Sequence, residues 1–384
     1  MLKVLLTDGN FKHTLAAVRS LGRRGARVEV LEKGRWSVSS LSRYCAGQVK
    51  APDPRDGEAF SRFLADLVAR RPYDVLIPVS YASVVQASAA RDLIMPKVRM
   101  VLPDPGALAI AGHKGRTAEL AAELGIPVPR TFQPGSDRDL EEIARTAVFP
   151  LVVKGATDAG NLGYARNPGE LKSLYRSLAP FDPLVQEYIP GEGYGFFALY
   201  NRGSARAVFM HRRIREYPVT GGPSSLAESI RDPVLSELGT RLLDRLGWHG
   251  PAMVEFKKDR RDGRYVLVEI NPKLWGSLDL AIASGVDFPW LICRMAMDGD
   301  IEPVTEYRTG VKFRWVFPED LFHALTGPGF TGRFLKDFFD PGIRSDIVPG
   351  DLLPTVARVG MTGGELVIRI WRGRFWRPHG TPDR

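Results

Sequence analysis

Two carboxylates and an amide on neighbouring segments give this chain its first chemistry. Between Met253 and Pro272, Glu255 sits on one apolar run and Glu269 with Asn271 on the next, joined through Asp262-Gly263. Asp-Gly between two such runs signals a β-hairpin. Glu269 and Asn271 are two residues apart, so both point to one face, about 7 Å apart along the strand. Lys273 continues that face if the strand persists past Pro272. Two carboxylates and an amide oxygen on a partly buried face repel or stay unsatisfied without a cation. Hard oxygen donors of this kind suit Mg²⁺, which keeps waters and takes its remaining ligands from phosphates. The plain alternative is a hairpin with both glutamates in solvent.

Cations stand elsewhere in patterns that fit phosphates. Phe149–Lys154 reads as an apolar strand ending in Lys154, followed by the glycine loop Ala156–Gly163 with Gly160 and Gly163. A lysine beside such a loop can set a cation and backbone N–H groups against phosphates. A Walker A assignment fails, because Asn161 stands where its lysine belongs. Lys114 and Arg116 fall in the first turn of a helix, where the macrodipole disfavours cations, which hints at an anion docking there. The strand Leu184–Tyr188 stops at Pro190. Its connector, Gln186, Glu187, Tyr188 and Ile189, can offer backbone groups to an adenine edge with Ile189 against the ring. In His211–Pro218, Arg213 and Arg215 share a face with His211, and Arg212 takes the other. Cations on both faces of a strand are either exposed or meet phosphates or carboxylates.

Positioning these groups requires a sizeable fold. The chain has 384 residues and 44% hydrophobic content, which at roughly 100–200 residues per domain gives two or three domains with a substantial core. Strand-like Lys3–Thr7, Arg27–Leu31, Asp74–Val79 and Met100–Leu102 alternate with helical stretches, an α/β pattern of parallel units. The first turn lacks GxGxxG, so this half is Rossmann-like in architecture only. From Phe149 strands crowd together in an α+β arrangement, and after Pro303 the composition turns aromatic and basic. A net charge of +9, spread along the chain, favours an anionic small ligand over nucleic acid. The isolated Cys45 and Cys293 make neither a disulfide framework nor a zinc cluster. With no apolar run of about 20 residues and no signal peptide, a soluble cytoplasmic protein is expected.

Taken in order, HKGRTAELAAELGIPVPRT, FPLVVKG with its loop, VQEYIPGEGYG, HRRIREYPVTGG and MVEF…LVEINPKLWG resemble the ATP-grasp superfamily. The likeness is specifically to the carboxylate–amine ligases related to the carbamoyl-phosphate synthase large chain. It implies a Rossmann-like domain over residues 1–112, then an ATP-grasp fold of two α+β subdomains clasping ATP, residues 113–190 and 191–303. A C-terminal extension would cover 304–384. Carried over by position, Lys114 and Lys154 would bind the ATP phosphates, and Gln186–Ile189 would form the adenine hinge. Glu255, Glu269 and Asn271 would hold Mg²⁺, two ions with Mn²⁺ able to substitute. Arg212 or Arg215 would steady the transferred phosphoryl group. Two positions depart from the pattern. The ribose acid aligns with Gly193, leaving Glu192 to substitute from one residue away, and Lys273 stands where arginine is common.

The resemblance thus implies a ligase that phosphorylates a small-molecule carboxylate and transfers it to an amine, releasing ADP and phosphate. The loop Gly160–Gly163 would close over the nucleotide and exclude water. Trp275, Gly276 and Ser277 would line the acceptor side, although Trp275 also suits a core. A homodimer is compatible with this reading. The alternative is a nucleotide-binding module that regulates or scaffolds without catalysis. The tail Arg369–Pro378 interleaves arginines with aromatics, a pattern that can touch a membrane surface or nucleic acid. The expected arrangement is instead aromatics packed on the domain and arginines in water.

Overall fold

A computed structural model describes residues 1–157, 162–218 and 221–371. The first sheet is parallel, β1 (Lys3–Leu6), β2 (Arg27–Glu32), β3 (Gly47–Lys50) and β4 (Val75–Ile77), in the order β3-β2-β1-β4. Its strands are apolar on both faces because helices cover both. Helix Lys12–Arg23 buries Leu15, Ala17, Val18 and Leu21 on one side, while Phe60 and Leu64 of helix Glu58–Arg70 join the core on the other. The expected strand at Met100–Leu102 does not form. The chain there is buried, but it makes only one bridge to β4, Val75 with Arg99.

The second sheet is antiparallel: β5 (Thr131–Phe132), β6 (Leu151–Gly155), β7 (Leu162–Ala165) and β8 (Pro183–Glu187), in the order β5-β8-β6-β7. Helices Asp137–Thr146 and Pro168–Ser177 pack on it, each opened by a side-chain cap from Ser136 or Asn167. Leu140, Ile143, Val153 and Leu171 form its small core.

The third sheet has seven strands: β9 (Gly191–Asn201), β10 (Ser204–Glu216), β11 (Ser224–Ile230), β12 (Gly250–Asp259), β13 (Tyr265–Asn271), β14 (Lys312–Arg314) and β15 (Ile343–Ser345). They run β13-β12-β9-β10-β11-β14-β15. Strand alternation divides β9 cleanly. Tyr194, Phe196, Ala198 and Tyr200 join Leu235 and Leu242 of helix Pro233–Arg245. Phe197 and Leu199 face Trp275, Phe288 and the underside of the first sheet, so one core runs through both sheets.

Residues after 303 are woven into this body. β14 and β15 extend the large sheet, and the chain then returns to the helix that covers the first sheet. Arg19 donates from Nε to Asp351 Oδ2 at 2.8 Å and from Nη1 to the Asp346 carbonyl at 2.9 Å. Asp351 also accepts from Ser42 Oγ and the Arg43 N–H. The two side chains are 5% and 1% exposed, so removing one strands a buried charge. Asp351→Ala is expected to lose about 3–5 kcal/mol in urea unfolding. A loss below about 1 kcal/mol would show that the contact is solvated and weak.

Candidate active site

β12 and β13 pair antiparallel with Glu255 directly opposite Glu269 and Met253 opposite Asn271. The hairpin therefore places both carboxylates and the amide on one wall of a cavity of about 680 Å³. Asn271 Nδ2 donates to Glu269 Oε1 at 2.8 Å. Burial alone would raise the Glu269 pKa, yet Lys114, Lys154, the Asn271 hydrogen bond and Lys273 hold it below its ordinary value. Lys114 Nζ lies 3.5 Å from Glu269 Oε2 and 3.4 Å from the Thr157 carbonyl. The cation at that helix N-terminus is thus positioned by a carboxylate across the cavity. On β6, Lys154 is buried, and burial with Lys114 nearby lowers its ammonium to about 8.

Arg213 of β10 reaches across β9 to the same wall, donating from Nη2 to Glu255 Oε2 at 2.7 Å and from Nη1 to the Gly222 carbonyl at 3.1 Å. Its room comes from Gly193, where an added Cβ would meet Arg213 Cδ at 2.7 Å. Lys257 Nζ bonds the Ile189 carbonyl at 3.3 Å and stands over the Tyr188 ring. Gln186, Glu187, Tyr188 and Ile189 all line the cavity beside Val152, Leu162 and Tyr164. Gln186 is fixed by a 2.9 Å bond from Nε2 to Thr131 Oγ1.

Other walls come from distant parts of the chain. The first turn supplies Asn10 to His13, the bend Phe317–Glu319 closes a side, and helix Leu353–Trp371 contributes Arg358, Met361, Thr362 and Glu365. Lys273, Trp275, Gly276 and Ser277 follow β13 along the same surface. Trp275 is both core and lining: 2% exposed, it packs against Phe197 and Phe288. His211 bonds Ser277 Oγ through Nε2 at 2.8 Å, and burial lowers its pKa to about 3, so it is neutral.

Residues 181–317 match the family model described as "ATP-grasp in the biosynthetic pathway with Ter operon". The D-alanine–D-alanine ligase of Stutzerimonas stutzeri (strain A1501) is 26% identical over 214 residues, covering 50% of this chain and 66% of that protein. The N-terminal section of the carbamoyl phosphate synthase large chain of Methanopyrus kandleri is 23% identical over 203 residues, covering 49% of this chain and 36% of that one. The biotin carboxylase from Campylobacter jejuni, solved as a βγ-ATP complex, superposes with a TM-score of 0.66 at 14% identity, covering 81% of this chain and 74% of that one. The chain has the ATP-grasp fold, and its residues 181–317 match an ATP-grasp family model. It spans slightly less than two thirds of the length of the D-alanine–D-alanine ligases it matches.

Within this ATP-grasp fold several expected site residues lie elsewhere. Arg212 lines no part of the cavity. It takes the opposite face of β10 and pairs with Glu228 at 2.7 Å. Arg215 should share a face with Arg213, but register shifts on either side of it redirect the side chain. It is bound by Asp320 at 2.9 Å and by Asp337. Arg213 is the arginine of this strand that reaches the carboxylates. Glu192 also points away, because one residue along a strand changes face, and its carboxylate meets Tyr194 Oη. Gly163 is a packing glycine on β7, paired with Val153, whose Cβ position lies 2.8 Å from Leu174 Cδ2. Gly160, with the rest of its expected closing loop up to Asn161, lies outside the described residues.

Alternation in His211–Arg213 and Glu255–Lys257 was enough to point to Arg213 and Lys257. The first turn and the C-terminal helix carried no local signal. Gly193→Ala is expected to cut ATP turnover by ~10–100-fold by displacing Arg213, whereas Glu192→Ala should leave it within about twofold. Steady-state kinetics of the two variants check both faces of β9, and the reverse ranking would place the strand in the wrong register.

Proposed function

We propose that this protein is an ATP-dependent carboxylate–amine ligase working through an acyl phosphate. The observation that carries the reading is the pairing of Glu255 with Glu269 on one cavity wall, with Asn271 beside them and Lys114, Lys154 and Arg213 around them. The D-alanine–D-alanine ligases it resembles are named for joining one amino acid to another.

The donor set fits Mg²⁺. Among the described residues no group of three or more His, Cys, Asp or Glu could hold a metal. Two carboxylates and one amide oxygen nevertheless suit an ion that takes its other ligands from phosphates and water. Glu255, Glu269 and Asn271 would hold it, and when bound it would offset charge on the β- and γ-phosphates. Lys114 and Lys154 bind phosphate oxygens, the Gln186–Ile189 connector receives the adenine, and Val152, Tyr188 and Ile189 exclude water around it. Arg213 and Lys273 stabilise charge on the phosphoryl group as the substrate carboxylate attacks it. Amine attack on the acyl phosphate then forms the amide and expels phosphate.

The walls formed by the first turn and the C-terminal helix suit the two organic substrates. In those walls and in the segment after β13, His13 Nδ1 and Nε2, Trp275 Nε1 and Arg358 Nη2 are buried with no hydrogen-bond partner among the described residues. Unpaired buried polar atoms are costly, and polar substrate groups would satisfy them.

The test is ADP release from Mg·ATP across a panel of amino acids, dipeptides and amines, with Glu269→Ala as background. Turnover requiring both a carboxylate and an amine supports the ligase. Tight ATP binding with no turnover above background on any mixture would favour the non-catalytic module. A second expectation concerns pH. Lys154 is protonated below about 8, so phosphate affinity is present there and fades as pH rises through that value. The alkaline limb of kcat/KM for ATP should fall near pH 8 and move upward in Lys154→Arg, whose guanidinium stays charged. An unmoved limb would remove Lys154 from the phosphate site.

A further inference from the structure

Helix Leu353–Trp371 is built inside out. At 100° per residue, Leu353, Val356, Val367 and Trp371 form one stripe, and Arg358 with Thr362 lies opposite. The polar side is the buried one: Arg358 donates from Nη1 to Asp346 Oδ2 at 2.7 Å, and Thr362 is 4% exposed. The apolar stripe faces out, with Leu353 64%, Val356 64%, Val367 61% and Trp371 90% exposed. A row of large apolar residues along one helix is more than scattered surface hydrophobics and marks a contact surface. Trp371, the described aromatic of the basic tail, does not pack on the domain as its sequence suggested.

We propose that this face docks the protein on an anionic lipid bilayer surface. Charge selects the occupant. The sequence continues as Trp371-Arg-Gly-Arg-Phe-Trp-Arg-Pro378, so Arg372, Arg374 and Arg377 follow the stripe closely, and Asp383 is the sole acid after Glu365. A sequence of arginines and tryptophans that directly follows an apolar helix face matches a headgroup region, where phosphates meet cations and indoles sit at the boundary. A second copy fits less well, since an isologous pair would bring the same arginines together. No single described helix is long and apolar enough to cross a membrane, so the helix lies on the surface.

Full-length protein is sedimented with vesicles of phosphatidylcholine alone or mixed with phosphatidylserine, at low and high salt. Binding should favour the anionic vesicles, weaken with salt, and fall at least ~10-fold in Val356→Glu/Val367→Glu and in Arg372→Glu/Arg374→Glu. Val356 and Val367 lie outside the cavity lining, and ATP binding by each variant confirms an intact fold. Absence of wild-type binding to anionic vesicles would overturn the proposal. So would binding that the Val356→Glu/Val367→Glu variant retains, or a stable dimer that these substitutions split while lipid has no effect.

Discussion

Glu269→Ala is expected to lower the kcat of ADP release by ~10³-fold, the scale seen when one preorganised charge-stabilising group is removed from an active site. Glu269 is the junction of the site. It accepts from Asn271, faces Glu255 across the hairpin and meets Lys114 at 3.5 Å. Its charge survives burial because Lys114 and Lys154 hold the pKa down. Without it, the two ammonium groups repel each other, and the donor set for Mg²⁺ falls to one carboxylate and one amide. Glu269→Gln separates charge from shape, since it keeps the size and a partner for Asn271. Its kcat is expected to fall nearly as far as that of Glu269→Ala while thermal stability stays close to wild type. A Gln variant with more than about a tenth of wild-type kcat would show that packing, not charge, matters here.

Arg213→Met should be the most destabilising change at the site. Arg213 serves Glu255 at 2.7 Å and Glu216 at 3.4 Å, and its side chain is 10% exposed. Removing the cation leaves both carboxylates buried without it, a loss of about 3–5 kcal/mol in denaturant unfolding. The pH dependence fixes the cause. Burial already raises the Glu216 pKa against the opposing pull of Arg213, and losing Arg213 raises it further. The native variant then binds more protons than the unfolded chain, so its stability declines as pH rises and recovers as the carboxylates protonate. Activity should fall as well, by ~10²-fold or more. A variant as stable as wild type at neutral pH would mean that solvent already screens these carboxylates.

Much of this site could be read from side-chain alternation. Glu255, Glu269, Asn271 and Lys154 appear where period-two strands place them, and the Asp262-Gly263 turn set the hairpin that brings the glutamates opposite each other. What escaped depends on departures from that period. The register shifts around Arg215 sent it to Asp320, although its spacing matches that of Arg213. Glu192 failed for the opposite reason, because substitution from one residue away is impossible on a strand that changes face at every step. Gly163 had the composition of a phosphate loop, but its missing side chain makes room for Leu174. The pairing of Arg19 with Asp351 bridges 332 positions, and no local pattern encodes such a partner. Helix Leu353–Trp371 inverts the usual rule by burying Arg358 and exposing its valines, so reading apolar residues as the core side assigns its faces backwards.

In the proposed reaction a substrate carboxylate oxygen attacks the γ-phosphorus of ATP. Once the panel identifies a pair of substrates, the carboxylate is labelled with ¹⁸O and the released phosphate is analysed by mass spectrometry. With both carboxylate oxygens labelled, each phosphate formed should carry one ¹⁸O, the bridging oxygen that leaves when the amine displaces phosphate from the acyl group. Phosphate containing no oxygen from the carboxylate would contradict it.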